Sequence, residues 1–371
     1  MKKVCMIGTP YLGVPPRKGG AIEYLSFELA KVLSEKGYCI TYYSVLTERN
    51  EKIQLKNLRV VRFPARRING FIFNLFVFFS ALTRDFDLVY FSGCSVLPAA
   101  FLLAKVKRLP LLYHEFNHNP WVRGKSFLFD WLAKKSIESA DLVITPSDFI
   151  KNKITGKISS ARKKVVAIHH SLDLKEFPVR IPKKEKKIVF VGRLLEHKGL
   201  HYLIESMKEF NAKNPEWVLV VIGPKGEFNK EHRDYFLRIK KMIKDYSLKG
   251  KVLFKGQISR SELIREVSTS SVLVLPSSNE AFGLVLIEAM ACWTPCIAFD
   301  AGATREIIEN NRNGFVVKQG DQKELTMRMH ELIEDENKRT AFCLNSRKTA
   351  EEKFALERQV SKFVWYFNKL N

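Results

Sequence analysis

The feature that most constrains this chain is a series of short, continuously apolar runs alternating with helical patterns. The runs lie at residues 4–10, 39–46, 58–64, 87–92, 110–113, 142–145 and 165–169, then at 187–192, 217–223, 252–256, 272–276 and 296–299. They do not alternate apolar with polar. A strand reads this way when both its faces are buried, which means parallel sheets with helices on each side. Residues 21–36 show the helical counterpart: Ile22, Leu25, Leu29, Val32 and Leu33 share one face and Gly37 follows.

The strands fall into two sets. Between them, residues 177–187 hold Pro178, Pro182 and a run of charges, the composition of a linker. For 371 residues, two domains are expected. The reading is α/β: two doubly wound Rossmann-like domains, 1–177 and 178–354, facing each other across a cleft. An apolar stripe of Leu356, Val360, Phe363, Val364, Phe367 and Leu370 makes 355–371 a helix, expected to pack back on the first domain. In such sheets ligands bind at the carboxyl ends of the strands.

Composition excludes several classes. With 46% hydrophobic residues the chain is not disordered, and six cysteines, mostly in apolar runs, form no disulfide framework. Buried reduced thiols suit a cytoplasmic setting. The net charge is +23. Residues 1–177 hold 28 basic and 14 acidic side chains, so the larger excess lies there. So positive a field favours anionic partners: phosphorylated ligands, an acidic membrane surface or nucleic acid. The cations are dispersed and no nucleic-acid motif is present, so nucleic acid is not an expected partner.

The strongest chemical constellation runs from Pro276 to Ala289 (PSSNEAFGLVLIEA). A buried strand ends, a polar turn carries Glu280, and Gly283 opens a helix whose second turn presents Glu288. A helix N-terminus offers unpaired N–H groups to a diphosphate. Two carboxylates nearby can accept hydrogen bonds from sugar or ribose hydroxyls. A lone Glu280 or Glu288 would be an ordinary surface charge; the whole pattern is not. A second strand ends at Gly192, followed by Arg193 and Lys198, two cations able to stabilise a leaving diphosphate. Gly19 and Gly20 occupy a phosphate-loop position without the G-x-G-x-x-G of a dinucleotide fold.

These motifs resemble those of retaining nucleotide-sugar glycosyltransferases of family 4, which have the GT-B fold. The resemblance is carried by Gly19-Gly20, Gly192-Arg193…Lys198-Gly199, Glu280-x-Phe282-Gly283…Glu288, Gly302…Glu306 and Asn313-Gly314-Phe315. It implies that Arg193 and Lys198 bind the donor diphosphate, and that the backbone at Phe282, Gly283 and Leu284 contacts diphosphate and sugar. Glu280 would hold the donor sugar and Glu288 the ribose. Gly20 would face the diphosphate from the other domain, and His114 would sit beside the anomeric centre. It implies a nucleoside-diphosphate sugar as donor, a glycan or lipid-linked glycan as acceptor, and no metal or other cofactor. Trp293, Gly302-Ala303 and His170-Ser171 depart from the family pattern.

Other motifs compete. His114-Glu115-Phe116-Asn117-His118 matches H-E-x-x-H of zinc peptidases, but that chemistry needs a helix, and here a strand runs in and Pro120 follows. A GT-B-fold sugar-nucleotide epimerase is a further alternative. Asp85-Phe86-Asp87 reads as a connection at the amino end of a strand. Residues Gly70–Leu82 (GFIFNLFVFFSAL) are too short to span a bilayer and read as a buried helix of the first domain, or as a helix lying on a membrane surface. The charge makes a peripheral position on the inner face of the cell membrane one reading of localisation.

Overall fold

The computed structural model describes residues 1–16, 20–46, 53, 55–64, 69–116, 127–225 and 230–370. The chain divides into two compact units, Met1–His170 with Glu357–Asn371, and Ser171–Leu356.

In the first unit the elements follow as β1 (Lys3–Ile7), α1 (Ala21–Glu35), β2 (Cys39–Val45), β3 (Leu58–Phe63), α2 (Gly70–Leu82), β4 (Leu88–Ser92), α3 (Leu97–Lys107), β5 (Leu111–His114), α4 (Phe127–Ser139), β6 (Leu142–Thr145), α5 (Asp148–Lys157) and β7 (Val165–Ala167). The strands form one parallel sheet in the order β3-β2-β1-β4-β5-β6-β7. The direction of winding reverses between β1 and β4. The central strands are buried throughout apart from Lys3 at the start of β1, as their unbroken apolar runs require.

The second unit comprises β8 (Glu185–Val191), α6 (Leu200–Lys213), β9 (Val218–Ile222), α7 (Lys230–Asp245), β10 (Val252–Gly256), α8 (Arg260–Thr269), β11 (Ser270–Leu275), α9 (Leu284–Ala291), β12 (Cys296–Phe299), α10 (Thr304–Ile307), β13 (Gly314–Val317), α11 (Gln322–Glu334) and α12 (Glu336–Lys353). Its sheet is parallel, in the order β10-β9-β8-β11-β12-β13. Its switch point lies between β8 and β11. Separate apolar clusters cover the two faces, one around Phe190, Phe210 and Phe299, the other around Leu273, Phe282 and Met290. Strand β13 was not among the expected runs: its apolar stretch is only Phe315-Val316-Val317, between Gly314 and Lys318.

The units part after His170, seven residues before the expected boundary at 177. The intervening segment is core of the second unit: Leu172 and Phe177 are buried there, and Leu172 exchanges backbone hydrogen bonds with Phe354 and Leu356. The last helix, α13 (Leu356–Lys369), lies with the first unit from Glu357 on; Phe363 and Phe367 are buried, and the Phe367 ring meets Tyr38 edge-on.

Helix α2 is neither wholly buried nor wholly exposed. Phe73, Asn74, Val77 and Ala81 face inward, and Phe76 packs edge-on against Phe63 and Tyr43. Phe71, Ile72, Leu75 and Phe79 remain exposed. Asp87 sits at the amino end of β4, where its carboxylate accepts a hydrogen bond from the Lys3 amide at 2.7 Å. Cys5, Cys292, Cys296 and Cys343 are buried and Cys39 and Cys94 half-buried, and none of the six is in a disulfide.

Candidate active site

The switch point of the second sheet makes β8 and β11 neighbours, so the loops after them leave the same sheet edge side by side. The β8 loop carries Arg193 and Lys198, and the β11 loop carries Glu280. Glu280 accepts a hydrogen bond from the Lys198 ammonium at 2.6 Å, and both side chains are largely buried. Arg193 is exposed.

Glycines permit this approach. Gly199 has φ 73°, and a Cβ there would fall 1.9 Å from the Pro276 carbonyl oxygen. Gly302, φ 62°, stands against Glu280 in the same way: a Cβ would meet the Glu280 carbonyl oxygen at 1.8 Å. The neighbouring Ala303 amide donates to that carbonyl at 3.2 Å. Gly302-Ala303 thus supports the Glu280 turn from behind.

Gly283, φ 101°, is the left-handed N-cap of α9. The Phe282 ring is buried against Phe354, so Phe282 can offer a ligand only its backbone. Leu284 begins the helix, and the first amides of a helix have no partner within it. Glu288 points into α8, where the Arg260 guanidinium donates to it at 2.8 Å. Arg260 also donates to Glu176 at 2.5 Å and lies over the Phe177 ring. Burial pushes the Glu288 carboxyl above its usual range, Arg260 pulls it back, and Glu176 adds to the rise. Sequence reasoning missed Arg260. It opens a helix with a Ser259–Glu262 capping box, and that local signal accounts for the segment without hinting at a distant carboxylate.

Trp293, where the family pattern has glycine, takes the left-handed conformation that glycine adopts freely, with φ 58°. The amides of Trp293 and Thr294 close α9 on Met290 and Ala289, and the indole N–H donates to the Pro178 carbonyl at 2.9 Å. The side chain therefore has an anchor that offsets the left-handed strain.

In the first unit, Gly20 is the left-handed N-cap of α1, with φ 77°. A Cβ there would approach Leu12 at 2.9 Å and the buried Glu23 at 3.0 Å. Glu23, a second residue missed in the sequence, accepts a hydrogen bond from Thr9. Gly19 and His118 lie outside the described residues. His114 ends β5, and the Glu115 amide continues strand bonding to Ile144, so this end of H-E-x-x-H is extended and not helical. The helix that the zinc-peptidase motif needs therefore does not begin at His114.

His114 is buried, with Nδ1 2.6 Å from the Tyr90 hydroxyl and its ring packed among Phe116, His170 and Phe363. Nε2 has no hydrogen-bond partner among the described residues. Burial holds His114 well below the usual histidine range, and the nearby His170 adds to this. Burial holds His170 down at about 3. Both imidazoles are neutral near pH 7.

A doubly wound sheet with a lysine, a glutamate and a helix N-terminus at its switch point can hold an anionic, hydroxyl-bearing ligand. A model of Glycosyltransferase Family 4 matches residues 19–176, and one of Glycosyl transferases group 1 matches residues 173–349. The chain belongs to the family 4 glycosyltransferases of the GT-B fold, enzymes of sugar transfer. It is 25% identical over 397 residues to spore coat protein SA of Bacillus subtilis (strain 168), covering 99% of each chain. It is 32% identical over 225 residues to the O-antigen chain mannosyltransferase RfbU of Salmonella typhimurium, covering 58% of this chain and 60% of that one. In fold it matches sucrose-phosphate synthase from Thermosynechococcus elongatus with a TM-score of 0.86 at 21% identity, covering 100% and 99% of the two chains. Anabaena HepE in complex with UDP matches with a TM-score of 0.77 at 19% identity over the whole of both.

Proposed function

We propose that the enzyme moves a sugar from a nucleoside-diphosphate donor to a hydroxyl of a glycan or lipid-linked glycan, keeping the anomeric configuration. The observation that carries this reading is the Lys198–Glu280 pair beside the head of α9. Lys198 and the exposed Arg193 would take the diphosphate, together with the backbone of Phe282, Gly283 and Leu284. Glu280 would hold the hydroxyls of the sugar, and Glu288 those of the ribose. The charge that grows on the leaving phosphate is then met by fixed cations and a helix N-terminus that need not reorganise during the reaction. In the front-face route that retention implies, the leaving phosphate helps to remove the acceptor proton. No protein nucleophile takes part.

The first unit is proposed to serve the acceptor, with Gly20 facing the donor diphosphate and His114 beside the anomeric centre. A neutral His114 with an unpartnered Nε2 is suited to a hydrogen bond with a sugar hydroxyl. The reaction is proposed to need no metal, because Arg193 and Lys198 supply the positive charge. HepE, seen with UDP, supports a nucleotide donor. The RfbU relative, an O-antigen chain mannosyltransferase, supports a glycan acceptor. With +23 of net charge, a peripheral position on an anionic membrane surface completes the reading.

A donor screen by thermal shift tests it. A ligand that binds only the folded state raises the melting temperature, by an increment that grows with ligand concentration. A UDP-, GDP- or ADP-sugar should do so, and the Arg193→Ala, Lys198→Ala double variant should lose the shift. No shift with any nucleotide sugar would overturn the proposal.

A further inference from the structure

We propose that the outward face of α2 and α3 is a docking surface for an anionic lipid bilayer; this rests on the peripheral-membrane reading above and assigns its contact residues. The crossovers β3→β4, β4→β5 and β5→β6 run in one direction across the first sheet. Right-handed crossovers then put α2, α3 and α4 on the same side of that sheet. α2 packs against α3, and α3 against α4.

The exposed side chains of α2 are all apolar, and those of α3 are apolar apart from Lys105. Phe71, Leu75 and Phe79 form a stripe along α2, with Phe71 68% and Phe79 63% exposed. On the neighbouring α3, Leu102 and Val106 are exposed, and on α4 so is Trp131. A soluble surface seldom gathers so many large apolar side chains without a partner.

The orientation of α2 is fixed by a buried polar clamp. The Asn74 amide donates to the Ser95 carbonyl at 2.9 Å and to the Gly70 carbonyl at 2.7 Å. Its side-chain oxygen accepts from the Ala99 amide at the start of α3, also at 2.9 Å. Rolling the stripe inward would break the bonds to Ser95 and Ala99 inside the protein, so α2 cannot hide its phenylalanines by rotating.

Charge selects the occupant. α2 and α3 contain no Asp or Glu. Exposed Lys105 and Arg108 stand at the end of α3, beside Val106. Apolar side chains bordered by cations match the acyl boundary and head groups of an anionic leaflet, and a tryptophan is at home at that boundary. A second copy of the chain would bring the same cations against each other. At 13 residues α2 is too short to span the roughly 20 residues' depth of a bilayer, and no helix among the described residues is long and apolar enough to cross one. The surface therefore lies on the membrane.

Co-sedimentation with vesicles of mixed phosphatidylglycerol and phosphatidylcholine, against phosphatidylcholine alone, tests the assignment. The full chain should bind the anionic vesicles, more weakly at high salt. Phe71→Ser with Phe79→Ser should weaken binding about tenfold or more without lowering the melting temperature. Lys105→Gln with Arg108→Gln should weaken it and flatten the salt dependence. If the serine variant melts lower, Leu102→Ser with Val106→Ser decides in its place. Wild-type chain that ignores anionic vesicles at low salt would defeat the membrane reading and this surface together. Undiminished binding by the serine and glutamine variants would overturn this surface alone. So would a wild-type dimer that the serine variant dissociates while vesicle binding persists.

Discussion

Lys198 and Glu280 are separated by 82 positions in the chain, yet their side chains meet at 2.6 Å. The pair joins the loops of the two strands that flank the switch point of the second sheet. It gives the free enzyme a pre-set cation beside a pre-set acceptor, and replacing either partner should have a separable effect. Glu280→Ala should lower kcat on the order of a hundredfold, since a group placed for the reacting sugar acts mostly in the transition state. The melting temperature should change little. Lys198→Ala leaves a largely buried carboxylate without its cation and should cost about 1–3 kcal/mol of stability as well as activity. Steady-state kinetics beside thermal melts separate the two. Near-normal turnover of the Glu280→Ala enzyme would remove that residue from the reaction.

A second prediction concerns Gly302. At φ 62°, with the Glu280 carbonyl 1.8 Å from the position of a Cβ, alanine cannot be accommodated without moving the Glu280 turn. Gly302→Ala should therefore resemble Glu280→Ala in kcat although it alters no functional group. It should also lose stability by about 1–3 kcal/mol through backbone strain. Gly320→Ala is the control: its φ is 78°, but nothing lies within 4 Å of its Cβ position. It should be destabilised by strain with kcat kept.

Much of this arrangement could be read from the sequence, because its signals are local. Continuously apolar runs announce buried parallel strands, and Gly283 before an apolar helix announces an N-terminus open to an anion. What could not be read depends on residues distant in the chain. Nothing around Arg260 points to Glu288, 28 positions on, because the capping box already explains that segment. The place of Ser171–Phe177 was hidden because the prolines and charges that mark a linker begin only after it, at Pro178. Its attachment to the second unit comes from Phe354, at the far end of that unit. The Phe-rich α2 was ambiguous for a different reason. Thirteen residues with apolar side chains on every face carry no periodicity, and the choice of inward face is made by Asn74 through α3.

Acid should unfold the first unit through His114 and His170. Their folded values lie below the usual 6.5, at about 3 for His170. Between the two values the unfolded chain takes up protons that the buried rings refuse. Stability is therefore complete above about pH 6.5 and falls as the pH drops, by up to about 1.4 kcal/mol per pH unit for each ring. Melting temperatures from pH 7.5 down to 5 should show this fall. His170→Gln should flatten it; an unchanged slope would mean that His170 is not part of the effect.

Chelation gives a simpler test. If Arg193 and Lys198 carry the charge of the leaving group, EDTA should leave turnover within about twofold, as expected where fixed side chains supply the electrostatic stabilisation. One tightly bound zinc per purified chain, or loss of activity restored by a divalent ion, would contradict that assignment.

Arg260 is the last case. It holds Glu288 at 2.8 Å and is the influence that counters the burial of that carboxyl. With Arg260→Ala, burial and Glu176 remain while the opposing cation is gone, so Glu288 should titrate at a still higher pH. A protonated carboxyl gains an O–H donor but loses acceptor strength toward ribose hydroxyls. The expected result is a donor KM that rises as the pH falls, in the variant at a higher pH than in the wild type, with kcat affected less. Arg260→Lys should restore the profile in part, because a point charge keeps the Coulombic effect without the fork that reaches both Glu176 and Glu288. If KM rises equally at every pH, Arg260 serves packing alone. If the Arg260→Ala profile matches the wild type, the carboxylate does not depend on Arg260 and the assignment of Glu288 to ribose loses its support.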